Sequence, residues 1–187
     1  MDLAWNDKRT RQFVTNVGLI TSDGPYGPDV MAAEWTHHMS YSPCLIALNI
    51  RGDDATAHNI KESNEFGVNL ASENQSLICS ISGKFTGTKV DKIKILKEFG
   101  VKFHPAKRIA CRMIDESAMQ AECKLIRHEE IGDHIFFVGE VIEISADENI
   151  RPLLYHQGKY WKIIESIEKP PIEILDKIAS LGEKFKK

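Results

Sequence analysis

Alternation of apolar and polar residues predicts β-strands through the first half of the chain. In the segment 65–71, Phe66, Val68 and Leu70 share one face, which is typical of a strand with one buried side. The segment 44–50 is apolar almost without interruption, which indicates a strand buried on both faces. A turn rich in Gly and Pro separates the first two of the four predicted strands, which cover 13–21, 30–40, 44–50 and 65–71.

The second half continues the strand-rich pattern. The segments 118–128 and 134–145 alternate in the same way, and Ile131-Gly132-Asp133 makes a turn between them. The strand 134–145 is apolar on both faces, so it must be covered twice, by a barrel interior and by a helix or another subunit. A last hairpin is predicted from 152–155 and 158–163.

Helix-start signals and helical spacing mark four further segments. Asp53 and Asp54 suit the capping and the dipole of a first helix. Ser72, with Gln75 three residues later, has the pattern of a capping box for a second. The four predicted helices cover 53–64, 72–83, 91–99 and 171–187.

Many short strands, few helices and dense turns favour a mainly β protein built as a closed or partly closed antiparallel barrel. Regular helices do not separate the strands, so a doubly wound parallel sheet is not expected. No linker or repeat divides the chain, which is predicted to be a single domain over 1–187 with a C-terminal helical extension at about 170–187. The sequence leaves open whether this extension packs on its own domain or on a partner.

Composition and charge exclude several classes of protein. The 187 residues are 42% hydrophobic and carry a net charge of −3, which does not fit a generally basic nucleic-acid binder. The longest apolar run, 44–50, is far shorter than the ~20 residues that cross a bilayer. With no secretory signal pattern and no Cys-x-x-Cys pair, we expect a soluble cytoplasmic protein with buried reduced thiols and no metal site.

Two regions are candidates for binding an anion. The segment 84–108 has eight basic and two acidic side chains, which indicates either a solvated surface or lysines that neutralise an anionic substrate. The apolar strand 44–50 runs into Arg51 and the start of the first helix, where free amides, the helix dipole and the Thr56 hydroxyl would attract phosphate. The second region is explained equally well by a first helix that Asp53 and Asp54 cap themselves.

A series of short motifs, in order and spacing rather than singly, resembles the flavin reductase-like family of FMN-binding split β-barrels and its flavoredoxin-type members. The resemblance covers roughly residues 12–163. The motifs are Met31-Ala32-Ala33-Glu34-Trp35-Thr36, Ser40-Tyr41-Ser42-Pro43, Arg51 with Thr56-x-x-Asn59, Glu65-Phe66-Gly67-Val68-Asn69-Leu70, Gly132-Asp133-His134, and Tyr155-x-x-Gly158-x-Tyr160.

The resemblance implies a homodimer of six-stranded antiparallel Greek-key barrels with peripheral helices, and one non-covalent FMN per subunit near the dimer interface. The segment from Asp29 to Thr36 would lie along the isoalloxazine ring, and His134 would shape the pocket beside the flavin or nicotinamide. The implied cofactor-binding residues are Asp29, Ala33, Glu34, Trp35, Thr36, Asn49, Ile50, Arg51, Thr56, Ser82, Gly83, Lys84 and Lys92, the last with Arg51 and Thr56 at the phosphate.

Three of these residues have alternative interpretations. Asp29 lies where many relatives have a neutral residue, and a carboxylate there would repel a reduced flavin or turn away from it. Trp35 also fits a core or interface aromatic, and His134 also fits a residue that caps the start of a strand.

The leading functional hypothesis is an FMN-dependent oxidoreductase that passes electrons from NADH or NADPH to a flavin, a metal ion or a protein acceptor. The first alternative is a flavoredoxin-type electron carrier that does not oxidise pyridine nucleotides. The second is a barrel without flavin that acts as a binding module. None of these hypotheses includes a nucleic-acid or membrane partner.

Overall fold

The computed structural model describes residues 1–4 and 7–186. Its helices are a short 3₁₀ turn at Thr10–Gln12 and four α-helices, namely α1 (Ala55–Ser63), α2 (Ser76–Lys84), α3 (Lys92–Glu98) and α4 (Ile172–Lys184). Its strands are β1 (Thr15–Asn16), β2 (Gly18–Ser22), β3 (Asp29–Ala33), β4 (Thr36–Tyr41), β5 (Cys44–Arg51), β6 (Glu65–Leu70), β7 (Phe103–Pro105), β8 (Arg112–Ile114), β9 (Met119–Ile131), β10 (His134–Ala146), β11 (Leu154–His156) and β12 (Lys159–Trp161).

The main sheet confirms a mainly β, antiparallel fold but not a closed six-stranded barrel. Its seven strands follow the order β3-β2-β6-β9-β10-β5-β4, and every neighbouring pair is antiparallel. In the described part of the chain, no hydrogen-bonded ladder joins the two edge strands, β3 and β4. Two small sheets, β1-β11-β12 and β7-β8, complete the β structure.

The prediction of one strand over 30–40 is wrong, because the chain changes edges of the sheet within it. Residues before the change pair with β2, and residues after it pair with β5. At the crossing, the Thr36 amide donates to the Glu34 carbonyl and the Asn49 amide donates to the Trp35 carbonyl. This break leaves Glu34 and Trp35 between the two edges of the sheet.

The pairing of β10 with β5 aligns the residues that follow the apolar segment 44–50. His134 is opposite Arg51, and Phe136 is opposite Asn49. The turn that was predicted at 131–133 is present, with Gly132 at a φ of 64°. One end of the sheet therefore brings together Asn49, Arg51 and His134, the first residue of β10.

Apolar side chains form two buried clusters. One contains Leu48, Ile60, Phe66 and Phe137, and the other contains Leu19 with residues of α2 and α3. The strand 134–145 was predicted to be buried on both faces. This holds for only part of its length, since Ile144 near the end of β10 is 56% exposed. The sheet is thus covered on one side by α1 and on part of the other by α2 and α3.

Helix starts follow the predicted signals with two differences. Asp91 caps α3 by accepting a hydrogen bond from the Lys94 amide at 3.0 Å. In the predicted capping box, the Gln75 side chain accepts from the Ser72 amide at 3.0 Å, but the helix begins only at Ser76. Asp54 stands at the start of α1 without making a capping hydrogen bond through its side chain.

The hairpin of β7 and β8 was not predicted, and two acidic side chains hold the loop between its strands. Glu122 accepts hydrogen bonds from the amides of Lys107, Arg108 and Ile109, and Glu65 accepts from the Ala110 amide. Glu65 and Glu122 are both largely buried, and these amides satisfy their carboxylates. Such long-range bonds leave no local pattern in the sequence.

The predicted C-terminal extension is helical over Ile172–Lys184, and every residue of this helix is exposed. Its apolar side chains, such as Ile178 at 57% exposure, do not pack on the barrel. The last residue of the predicted extension, Lys187, lies outside the described residues. None of the helices in the part of the chain that the structure describes is long and apolar enough to span a membrane.

Gly139 lets β9, β10 and the core ring of Phe66 approach closely. A Cβ atom at this position would overlap the Phe66 ring and lie 2.9 Å from the Cβ of Cys123. We expect Gly139→Ala to lower the free energy of unfolding by about 1–3 kcal/mol, because the core must shift to admit the methyl group. Urea unfolding followed by circular dichroism measures the change.

The matched control for this prediction is Gly182→Ala in α4. A Cβ atom there meets nothing within 4 Å, so the substitution should not destabilise the fold. Equal unfolding curves for Gly139→Ala and the wild type would contradict the prediction.

Candidate functional site

A cavity of about 300 Å³ opens where the chain crosses from β3 to β4. This volume is at the lower end of the range for small-molecule sites. The cavity wall comes from the crossing, the end of β5, and the adjoining ends of α1, α2, α3 and β10. The lining residues are Asp29, Met31, Ala32, Ala33, Glu34, Trp35, Asn49, Arg51, Asp54, Ala55, Thr56, Ser82, Gly83, Phe85, Gly87, Lys92 and His134.

A buried ionic group occupies one end of the cavity. Lys92 Nζ lies 3.0 Å from Asp29 Oδ1, and the Thr56 hydroxyl donates to Asp29 Oδ2 at 2.8 Å. All three residues are at most 4% exposed. Burial of an ion pair requires both charges to be paired and hydrogen-bonded, and this arrangement satisfies both conditions.

Local structure explains why these three side chains meet. Thr56 is in the first turn of α1, and Asn59 one turn later donates to the Gly27 carbonyl at 2.9 Å and accepts from the Tyr26 amide at 3.1 Å. Asn59 thereby holds the turn that precedes Asp29. The backbone of Gly87 passes so close that a Cβ atom there would be 2.5 Å from Asp29 Oδ1.

The start of α1 adds a second polar region to the cavity wall. Ala55 and Thr56 line the cavity, and helix N-termini carry amides without partners in the helix. Asp54 does not cap these amides with its side chain, so the self-capped alternative is not observed. Burial raises the pKa of the Asp54 carboxyl, and the nearby charge of Asp53 raises it further.

Arg51 lines the cavity but is already paired with a carboxylate. Its Nε and Nη2 atoms donate to the two carboxylate oxygens of Asp53 at 3.0 Å each. This hydrogen bond raises the pKa of Arg51 and lowers the pKa of Asp53. The pair is exposed to solvent, so it adds little to the stability of the fold.

Two neighbouring aromatic rings belong to the cavity wall. The ring centroids of Trp35 and His134 are 4.7 Å apart, with planes inclined at 44°. The Nδ1 atom of His134 lies 2.7 Å from a carboxylate oxygen of Asp133, and this contact lowers the pKa of Asp133. Burial raises the pKa of the neighbouring Glu34 carboxyl.

Ser82 has an unsatisfied hydroxyl next to the cavity. Ser82 is a lining residue, and its buried Oγ atom has no hydrogen-bond partner among the described residues. Buried hydroxyl groups are nearly always hydrogen-bonded, so this atom is suited to a group that enters the cavity.

The structure brings together most of the cofactor-binding residues that the sequence predicts, and three lie outside the cavity lining. Thr36 is buried and donates its hydroxyl to the Ala33 carbonyl at 3.1 Å. Ile50 belongs to the apolar core, because alternation along β5 turns Asn49 and Arg51 toward the cavity and Ile50 away from it. Lys84 places its ammonium over the Phe85 ring at 5.6 Å.

Lys92 is the one basic side chain of the segment 84–108, all of which the structure describes, that lines the cavity. Lys94 and Lys107 instead form surface ion pairs with Asp91 and Glu143. The sequence did not predict Asp54, Phe85 and Gly87 as cofactor-binding residues, and no local pattern marks Phe85 or Gly87.

Metal and thiol chemistry have no candidate group near the cavity. Within residues 1–4 and 7–186, no three His, Cys, Asp or Glu side chains cluster closely enough to hold a metal ion. The four cysteines are free, and burial raises the pKa of Cys79, Cys111 and Cys123 to about 12. These three thiols therefore remain protonated near neutral pH.

The fold and the cavity together define a class of protein. In this class, the two edge strands of an antiparallel β-sheet separate and leave a ligand-sized cavity between them. The particular family follows from sequence. The chain belongs to the flavin reductase-like family, since the model of the flavin reductase like domain matches residues 10–163.

Individual relatives agree with this assignment. An uncharacterized protein of Archaeoglobus fulgidus is 30% identical over 127 residues, which are 68% of this chain and 70% of that protein. An NADH:FMN oxidoreductase of Rhodococcus qingshengii is 22% identical over 161 residues, 81% of this chain and 77% of that protein. The solved structure of flavoredoxin from Desulfovibrio vulgaris (Miyazaki F) has a similar fold, with a TM-score of 0.76, 23% identity, and coverage of 90% of this chain and 97% of that one.

The buried ion pair makes a prediction about stability. Lys92→Met leaves the Asp29 carboxylate buried without a cation, so we expect the free energy of unfolding to fall by about 3–5 kcal/mol. Asp29→Asn combined with Lys92→Met removes both charges and should recover most of this loss. Urea unfolding of the single and double variants makes the comparison.

Lys94→Met is the matched control, because it removes a lysine whose ion pair is exposed. It should cost at most about 1 kcal/mol. An equally large loss in the single and double variants would mean that Lys92 contributes by packing rather than by charge.

Proposed function

We propose that this protein is an FMN-dependent oxidoreductase of the flavin reductase-like type, which binds one FMN non-covalently in the cavity between β3, β4 and α1. An NADH or NADPH molecule would be the electron donor, and a flavin, a metal ion or a protein partner would be the acceptor. The observation that carries the proposal is the cavity itself, whose wall includes buried hydrogen-bond donors and two neighbouring aromatic rings.

The residues present fit an FMN. Met31, Ala32 and Ala33 give one wall of small or flexible side chains, and Trp35 with His134 gives an aromatic wall, which together suit a flat ring. The cavity wall also includes the start of α1, Arg51, Lys92 and the unpartnered Ser82 hydroxyl, which suit a phosphorylated chain. Apart from Asp29, the predicted site residues that line the cavity are proposed in these roles.

A bound flavin would supply the redox chemistry, and the protein would bind and orient it. Asp133 holds the His134 ring by the contact at Nδ1, so the histidine would shape the pocket beside the Trp35 ring. The half-buried Trp35 ring would exclude water from one side of the flavin. No nucleophile or acid–base pair is needed for such a reaction.

An electron carrier is the second candidate function. The similarity to flavoredoxin in fold, and the exposed apolar side chains near the mouth of the cavity, support it. In that function the protein would exchange electrons with protein partners and would not oxidise NADH or NADPH. We propose that the protein is located in the cytoplasm.

An absorbance spectrum tests the proposed function. Protein mixed with FMN and freed of excess ligand should show the two visible bands of oxidised flavin, and anaerobic NADH or NADPH should bleach them rapidly in stopped flow. Bleaching by dithionite or a reduced protein donor, but not by either nucleotide, would favour the electron carrier. Protein that stays colourless after FMN is added would leave only a binding module without flavin.

A pair of tryptophan variants locates the flavin in the same experiment. Trp35→Ala removes the aromatic wall and should raise the dissociation constant for FMN by about 3- to 10-fold. Trp161→Ala, which removes an equally exposed ring in β12, should leave it unchanged. Equal effects would mean that FMN binds elsewhere.

The exposed face of β4 supports the proposal of a homodimer. This edge strand presents Met39 at 52% and Tyr41 at 91% exposure, and Trp35, which precedes the strand and lines the cavity, is half exposed. Exposed apolar side chains on an edge strand indicate a surface that another chain covers. A second copy of this chain on that face would close the mouth of the cavity.

Sedimentation velocity checks the homodimer. The wild type should sediment with twice the mass of one chain, and Met39→Glu should shift it toward one chain, because a charge would be buried in the interface. Phe99→Glu, at an exposed aromatic beyond α3, serves as the control and should not change the mass. A wild type that sediments as a single chain at all concentrations would rule out the homodimer.

A further inference from the structure

The buried group at the end of the cavity has a carboxylate where the sequence led us to expect a phosphate. Lys92 and Thr56 were assigned to the phosphate of FMN, yet both already contact Asp29, at 3.0 and 2.8 Å. The Thr56 hydroxyl has one proton, and it is given to Asp29. The lysine and the aspartate together carry no net charge.

The surrounding charges do not compensate for this neutralisation. Arg51, the other cation in the cavity lining, is paired with Asp53. Asp54 also lines the cavity, and its charge acts on both Asp29 and Lys92. The acidic side chains near this end of the cavity therefore reduce the attraction that the two cations would exert on a dianion.

We propose that Asp29 is a built-in anion that competes with the phosphate of a bound flavin for Lys92 and Thr56, and so makes the site accept riboflavin nearly as well as FMN. The inference rests on the proposed function for its flavin part. The competition itself concerns only the residues of this chain and a phosphate group.

The competition by Asp29 changes the preference between riboflavin and FMN, because only FMN has a phosphate that competes with Asp29. The aromatic wall and the small side chains of β3 would contact the ring that both flavins share. Ser82 Oγ and the start of α1 can hydrogen-bond a hydroxyl or a phosphate. Without a free cation, the phosphate adds little to binding in the wild type. Asp29→Asn keeps the shape of the side chain and returns the charge of Lys92 to the cavity.

Flavin titrations followed by fluorescence test the specificity. The ratio of the riboflavin to the FMN dissociation constant should rise about 10- to 100-fold in Asp29→Asn, the range expected for a regained hydrogen bond to a charged group. In the double variant Asp29→Asn with Lys92→Met, the ratio should stay near that of the wild type. A ratio that is unchanged or falls in Asp29→Asn would show that Asp29 positions Lys92 for the phosphate, and would overturn the inference.

Inorganic phosphate provides a probe that does not depend on flavin. Phosphate should raise the thermal unfolding temperature of wild type and double variant equally, because neither has a free cation in the cavity, and should raise that of Asp29→Asn more. Added phosphate should also recover folding if Asp29→Asn is unstable alone. A larger response in the wild type than in the double variant would overturn the inference. If no variant binds flavin but these phosphate responses hold, the proposed function fails and the competition by Asp29 stands.

Discussion

The buried pairing of Asp29 with Lys92 is the constraint on which the site depends. It joins three separate parts of the chain, since Asp29 begins β3, Lys92 begins α3, and Thr56 in α1 supplies a hydrogen bond. An unpaired charge at such a depth would be very costly, so all three segments must meet before the cavity can exist. The same contact fixes the electrostatic character of the cavity, because it determines which positive charges remain available to a ligand.

The cavity also depends on the change of sheet edge between β3 and β4. The two strands pair with different neighbours, β2 and β5, and no ladder connects them in the described residues. Glu34 and Trp35 span the gap, and the Trp35 carbonyl is tied to β5 through the Asn49 amide. A ligand-sized space thus arises from the topology of the sheet, and the helices on either side supply its polar end.

Sequence patterns predicted the elements whose signals are local. The strand β6, the turn at 131–133 and the helix α3 all appear where expected, although β6 is buried on both faces and not on alternate residues. The prediction of a capping box was correct only in part. The Gln75 side chain accepts a hydrogen bond from the Ser72 amide, but α2 starts at Ser76 and not at Ser72. The hairpin of β7 and β8 was missed because distant carboxylates, not turn residues, hold its loop.

The site residues show the same difference between local patterns, which the sequence reveals, and long-range contacts, which it does not. Alternation along β5 could have excluded Ile50 from the cavity, since it shares the buried face of Leu48 and not that of Asn49. Spacing could also have favoured Lys92 over Lys84, because Lys92 lies one turn before the buried Leu96. No such pattern revealed that Asp29 would turn inward to meet Lys92.

The sequence by itself determined most of the strands, the approximate positions of the helices, the family and most of the residues around the cavity, because periodicity and short motifs act over a few residues. The tertiary structure alone decided which charges are paired, where the sheet parts and which side chains stay without a partner. These features depend on contacts between segments far apart in the chain. For that reason the sequence could name Asp29, Thr56 and Lys92 as site residues, but only the fold showed that they bind one another.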